Sequence, residues 1–143
     1  MPTADRWIEV LKRQAEAEEL ALARIAAYRE ELLVHRRALA AEISRLAAAG
    51  RPDSAPGAVI LVRMHESERL RDSLAGLDDR IAQAAVSEHE QAERVVKARQ
   101  AWEVAVLLQE QRDHDREVIS LRRNERQWQD FMTTLKASER NRR

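Results

Sequence analysis

What most constrains this chain is the placement of its helix breakers. Two of its three glycines and two of its three prolines fall in one octapeptide, Gly50-Arg51-Pro52-Asp53-Ser54-Ala55-Pro56-Gly57. The remainder carries only Pro2 at the start and Gly76. Gly50 follows an alanine run and suits a left-handed helix terminus, Pro52 cannot continue a helix, and Ser54 can cap a new one. The pattern predicts helix over residues 4–49, a hinge at 50–57 and a second helix from 58 to about 140. Thr3 is the expected N-cap of the first, with Asp5 placed to meet its dipole. A charged fraction of 35%, rich in Ala, Leu, Glu and Arg, agrees with long helices and not with sheets.

Setting heptad position a at Ile8 gives Ile8, Ala15, Leu22, Arg29, Arg36 and Ile43. Position d then reads Leu11, Glu18, Ile25, Leu32, Leu39 and Leu46, so nine of the twelve seam sites are apolar. The 3.5-residue period implies a left-handed supercoil. The second helix offers a matching stripe, Leu70, Leu74, Leu77, Ile81, Ala84, Val95, Ala98, Trp102 and Ala105, interrupted by Glu88 and Gln91. Charged residues inside the seams, Glu18, Arg29, Arg36 and Glu88 among them, are of the kind that fixes register and strand number. The expected fold is therefore all-α: a long antiparallel two-helix coiled-coil hairpin whose second helix projects beyond the first, forming a single domain over 1–143.

A turn centred between residues 53 and 54 places Leu32 near Ala75 and Trp7 near Gln100 and Trp102. The first helix is then exhausted at about residue 103, where a new stripe is read through Val104, Leu107, Val118, Leu121, Trp128, Met132 and Leu135. The paired part spans ~70 Å and the projection a further ~50 Å at 1.5 Å per residue. Such a two-helix seam is marginal alone, and an unpaired apolar stripe calls for a partner. Two other α-helical arrangements compete: a break near Gly76 or Gln109–Asp115 that folds the C-terminal segment back, and a dimer burying the stripe against its own copy.

Little in the chain speaks for catalysis. There is no cysteine, so disulfides and thiolate metal sites are excluded. The glycines at 50, 57 and 76 fit neither dinucleotide nor P-loop spacing. His65 lacks the second histidine of a zinc-protease helix, His35 and His89 stand alone, and Asp113, His114 and Glu117 read as surface charge on one helix face. No enzyme activity, cofactor, metal or small-molecule substrate is expected. Formal neutrality, with 25 basic and 25 acidic residues, argues against nucleic acid as the general partner. Charge is nevertheless uneven: residues 112–143 hold nine basic and six acidic residues, with Arg122, Arg123 and Arg126 clustered. Arginine suits docking to paired carboxylates on a protein surface. No signal peptide is read at the N-terminus, and the longest apolar runs, residues 58–62 and 104–108, are too short to span a bilayer, so a cytoplasmic location is expected.

Two long helices, one turn near residue 53, a longer second helix and a charge-rich C-terminus through Arg116-Glu-Val-Ile-Ser-Leu-Arg-Arg-Asn-Glu-Arg-Gln-Trp-Gln-Asp-Phe-Met132 together resemble the FliJ/YscO family. These are central-stalk proteins of flagellar and virulence-type type III secretion systems. The resemblance covers nearly the whole chain and rests on architecture. It implies a hairpin similar to the coiled coil of the rotary ATP synthase γ subunit. It also implies three partners: a hexameric secretion ATPase whose central hole receives the end bearing both termini, an export-gate membrane protein, and export chaperones. On this chain the inserted end comprises the neighbourhood of Trp7 and Trp102 and the projecting helix to Leu135. Glu103, Glu110, Arg116, Arg122, Arg123 and Arg126 then supply polar contacts around the apolar stripe. The gate contact falls nearer the hinge or mid-hairpin, with no individual residues carried over. The protein is expected to be monomeric alone and peripheral to the inner-membrane export apparatus.

Overall fold

A computed structural model describes residues 3–49 and 57–142. The fold is all-α: two long helices packed against each other, α1 over Thr3–Ala48 and α2 over Gly57–Arg142. Thr3 is the first residue of α1 and so sits inside its opening turn instead of capping it. Asp5 in the first turn and Arg45 in the last complement the α1 dipole, and the helix closes on a 3.0 Å bond from the Ala49 N–H to the Arg45 carbonyl. The expected hinge lies, apart from Gly57, outside the described residues. α2 runs unbroken through both Gly76 and Gln109–Asp115, so the fold-back arrangement does not occur.

The chain divides into two compact units, one of Arg13–Ala98, the other of Met1–Lys12 with Arg99–Arg143. In the first, the helices run antiparallel. Gln91 Nε2 donates to the Glu18 carbonyl at 3.0 Å and to the Glu18 carboxylate, Arg29 Nε lies 3.0 Å from Glu88 Oε2, and Arg36 Nε donates to Asp78 Oδ1 at 2.5 Å. Glu18 and Arg29 of the α1 heptad thus meet Gln91 and Glu88 of the α2 stripe, while Arg36 reaches Asp78 just outside that stripe.

Burial follows the heptad position for position. In α1 every a and d residue from Ile8 to Leu46 is at least half-buried, Ala15 and Leu32 fully. In α2 the inward residues recur at alternating intervals of three and four: 67, 70, 74, 77, 81, 84, 88, 91, 95, 98, 102, 105 and 109. Glu88 and Gln91 are therefore members of this stripe, and Gln91 is buried.

The register departs from the expectation. Glu18, Arg29 and Arg36 meet residues two, ten and seven positions further along α2 than a turn centred between 53 and 54 allows. The offset is about one heptad, and it is taken up where α2 begins: of residues 57–66 only Ile60 is even half-buried, while Val59, Leu61, Val62 and Met64 are exposed. Side chains that mesh and polar groups that pair decide register, and a turn of this length tolerates either setting. In the other unit, too, the α2 residues found around Trp7 lie further along the helix than Gln100 and Trp102. Trp7 shares a cavity of about 300 Å³ with Thr3, Ala4, Ile8, Ala105, Leu108, Gln109 and Arg112.

Candidate partner-binding surface

The candidate surface belongs to the unit containing Arg99–Arg143. Here the start of α1 lies beside residues 105–112 of α2, not beside residue 103, as their shared cavity records. Beyond this point α2 has no cover: from Glu110 to Arg142 every residue except the half-buried Val118 is exposed. That is roughly 30 residues of helix, ~45 Å long.

The seam of α2 does not change phase at Val104. Trp102, Ala105 and Gln109 remain half-buried in the old phase, whereas Val104 and Leu107 are 54% and 63% exposed. At 100° per residue, Leu107, Val118, Leu121 and Met132 lie roughly opposite this seam, with Trp128 and Leu135 about a quarter-turn from it. The stripe read from the sequence is therefore a separate face and not a continuation of the packed one. Leu121 and Trp128 are each 63% exposed, Leu135 44% and Met132 37%. Phe131 joins them, its ring centroid 6.1 Å from that of Trp128 and tilted by 36°, which adds aromatic area to the uncovered end.

Arg122, Arg123 and Arg126 are exposed and without an ion-pair partner among the described residues, as are Arg112 and Arg116. Continuing the three-four spacing of the seam past Gln109 gives Arg112, Arg116, Ile119, Arg123 and Arg126. Arg112 was not among the residues expected to matter, and its signal was this spacing, hidden by assigning a new phase at Val104. Glu103, Glu110, Glu117 and Glu125 fall on the opposite side, among the apolar residues.

Of the intramolecular seam residues, Ile8, Leu11, Leu22, Ile25, Leu39, Leu74, Leu77, Ile81 and Trp102 are half-buried and Leu32 is buried. The indole N–H of Trp102 is shielded from water and has no hydrogen-bond partner among the described residues. A second uncovered apolar group, Leu61, Val62 and Met64 in the first turns of α2, was not singled out in the sequence; the run of five apolar residues at 58–62 was its signal.

No group of three or more His, Asp or Glu side chains able to hold a metal occurs among the described residues. No described helix is long and apolar enough to cross a membrane. No family model, curated protein or solved structure matches the chain.

Proposed function

We propose that the protein is a non-catalytic helical stalk of a type III secretion system, promoting assembly of the hexameric secretion ATPase and linking it to the export gate and to export chaperones. The reading rests on the resemblance to FliJ/YscO proteins together with one observation. The helix that continues past the α1–α2 packing is exposed on all sides over about 30 residues, with Trp128, Phe131, Met132 and Leu135 uncovered near its end. An uncovered helix carrying large apolar side chains gains most from a partner that encloses it, as a ring does.

Affinity capture of the tagged chain from its native cell, beside a Trp128→Asp/Leu135→Asp control, tests the reading. Recovery of a secretion ATPase or export-gate component with the parent, and loss of the ATPase with the control, is the expected result. Recovery of copies of itself alone overturns it in favour of a general coiled-coil adaptor or self-associating scaffold. That alternative predicts a stable homodimer by light scattering, where the stalk reading predicts a monomer. Charge reversal at Arg122, Arg123 and Arg126 is expected to weaken ATPase association and to reduce its dependence on salt. Unchanged binding and salt response would remove those arginines from the interface.

A further inference from the structure

Within the Arg13–Ala98 unit the molecule displays its own rule for a guanidinium in a helix–helix seam. Arg29 and Arg36, both at a positions of α1, are each answered by a carboxylate of the facing helix: Glu88 at 3.0 Å and Asp78 at 2.5 Å. Glu18, a carboxylate in the same seam, is answered by the Gln91 amide. Seam polar groups of α1 here find a partner on the facing helix, while both ion pairs stay partly open to solvent.

On α2 the seam continues, in the same three-four spacing, into Arg112, Arg116, Ile119, Arg123 and Arg126. In heptad spacing these four arginines continue the face that Trp102, Ala105 and Gln109 turn inward, from about one turn past Gln109 at Arg112 to nearly five turns past it at Arg126. Each is exposed, and none has an ion-pair partner among the described residues, although Asp113, Asp115, Glu117 and Glu125 stand within one turn of them. The described part of α1 ends at this level, its first turn sharing a cavity with Gln109 and Arg112, so it does not run alongside Arg116, Arg123 and Arg126.

We infer that this arginine column is a second half-seam, built to receive an acidic helix that occupies beside residues 112–126 the position α1 occupies before them. The partner is a helical protein segment with carboxylates at heptad-seam spacing and one apolar residue opposite Ile119. The charge complementarity is specific in spacing as well as in sign. Guanidinium forks at i, i+4, i+11 and i+14 meet a single line of carboxylates on a facing helix, and arginine holds a carboxylate through two parallel bonds. This deepens the proposed function by naming the chemistry of one side of the uncovered helix. It stands on the seam geometry and does not require an ATPase to be the donor of that helix.

The test uses the full chain and two labelled synthetic helices of about 21 residues, equal in composition and helicity. One carries its glutamates in a single a/d line, and the other distributes them around the helix. Fluorescence anisotropy at about 0.15 M salt, where loose surface attraction is screened, is expected to show at least tenfold tighter binding of the a/d helix. The variant Arg112→Gln/Arg116→Gln/Arg123→Gln/Arg126→Gln should lose that preference, while Lys136→Gln/Arg142→Gln, off the column, should keep it. Circular dichroism confirms that each variant retains its helix. Equal binding of the two peptides, or a preference that survives the quadruple change, overturns the inference. Sedimentation of the parent alone supplies the remaining arm: self-association abolished by the quadruple change would assign the column to a second copy and overturn the acidic-partner inference. Failure here leaves affinity capture of a secretion ATPase unaffected, and a failed capture leaves the peptide preference standing, so the two readings are separable.

Discussion

Gln91 is the one buried polar side chain among the described residues, and its two bonds to Glu18 make it the most demanding point of the seam. Gln91→Ala strips the donor from a part-buried carboxylate and opens a gap, so unfolding in urea should show a loss of about 1–3 kcal/mol. Pairing Gln91→Leu with Glu18→Leu should recover that loss or exceed it, because two apolar seam residues then meet. Equal destabilisation by the single and double changes would mean that Gln91 acts through packing alone. The Arg29–Glu88 pair is 40% and 26% exposed and its facing atoms have no better-aligned partner, so a double-mutant cycle should return no more than ~1 kcal/mol. At Arg36 the hydrogen bond to Asp78, and then its charge, hold the guanidinium above its ordinary value. A raised cationic group contributes stability at every pH below its unfolded value and loses it only as pH rises through the folded one. Proton loss from Arg36 itself therefore enters the stability balance only on the basic side.

At the scale of the element, α1 and α2 are stable only where the heptad covers them, since a long helix gains most of its stability from an apolar face packed on another. Leu32 is 6% exposed and at the centre of the α1 stripe, so Leu32→Ala should cost about 2–4 kcal/mol by thermal or urea unfolding. Leu121→Ala, at a 63% exposed site of similar chemistry, should stay within about 0.5 kcal/mol. Comparable losses at both would place Leu121 in a packed interface within the isolated chain. Gly76 sits in the interior of α2, and a Cβ built on it meets nothing within 4 Å. Gly76→Ala should accordingly raise stability by about 0.5–1 kcal/mol, measured as an increase in urea midpoint; a decrease would mean that the open space around it is needed. Three hydroxyls of α2, Ser73, Thr133 and Thr134, bond to the carbonyl four residues earlier, so residues that otherwise favour turns are accommodated without breaking the helix.

For the whole molecule, stability is unevenly distributed between covered and uncovered helix. Amides of residues 113–142 lie in helix that no other element covers, whereas those of 67–98 flank the buried stripe. Hydrogen exchange should therefore be at least tenfold faster across 113–142 than across 67–98, and addition of a true partner should slow the former selectively. Uniform protection would contradict the uncovered state. Much of this organisation was legible in the residues. Breakers confined to 50–57 dictate two helices, because nothing else in 143 residues interrupts backbone hydrogen bonding strongly enough. The a and d sites of α1 likewise follow from periodicity, a local property of the chain, and each lies inward as its spacing requires. Register was not legible, since sliding one helix by seven residues restores every a/d apposition and leaves the periodic signal unchanged. Only contacts between residues about 40 to 70 positions apart, such as Arg36 with Asp78 and Glu18 with Gln91, distinguish the two settings. The same slip moved the end of the packed region from residue 103 to about 112, and with it concealed the arginine column. The sequence by itself thus determined the two helices and the residues of their shared seam as far as Ala105, while tertiary packing alone decided which residues oppose one another and where the seam passes from leucine to arginine.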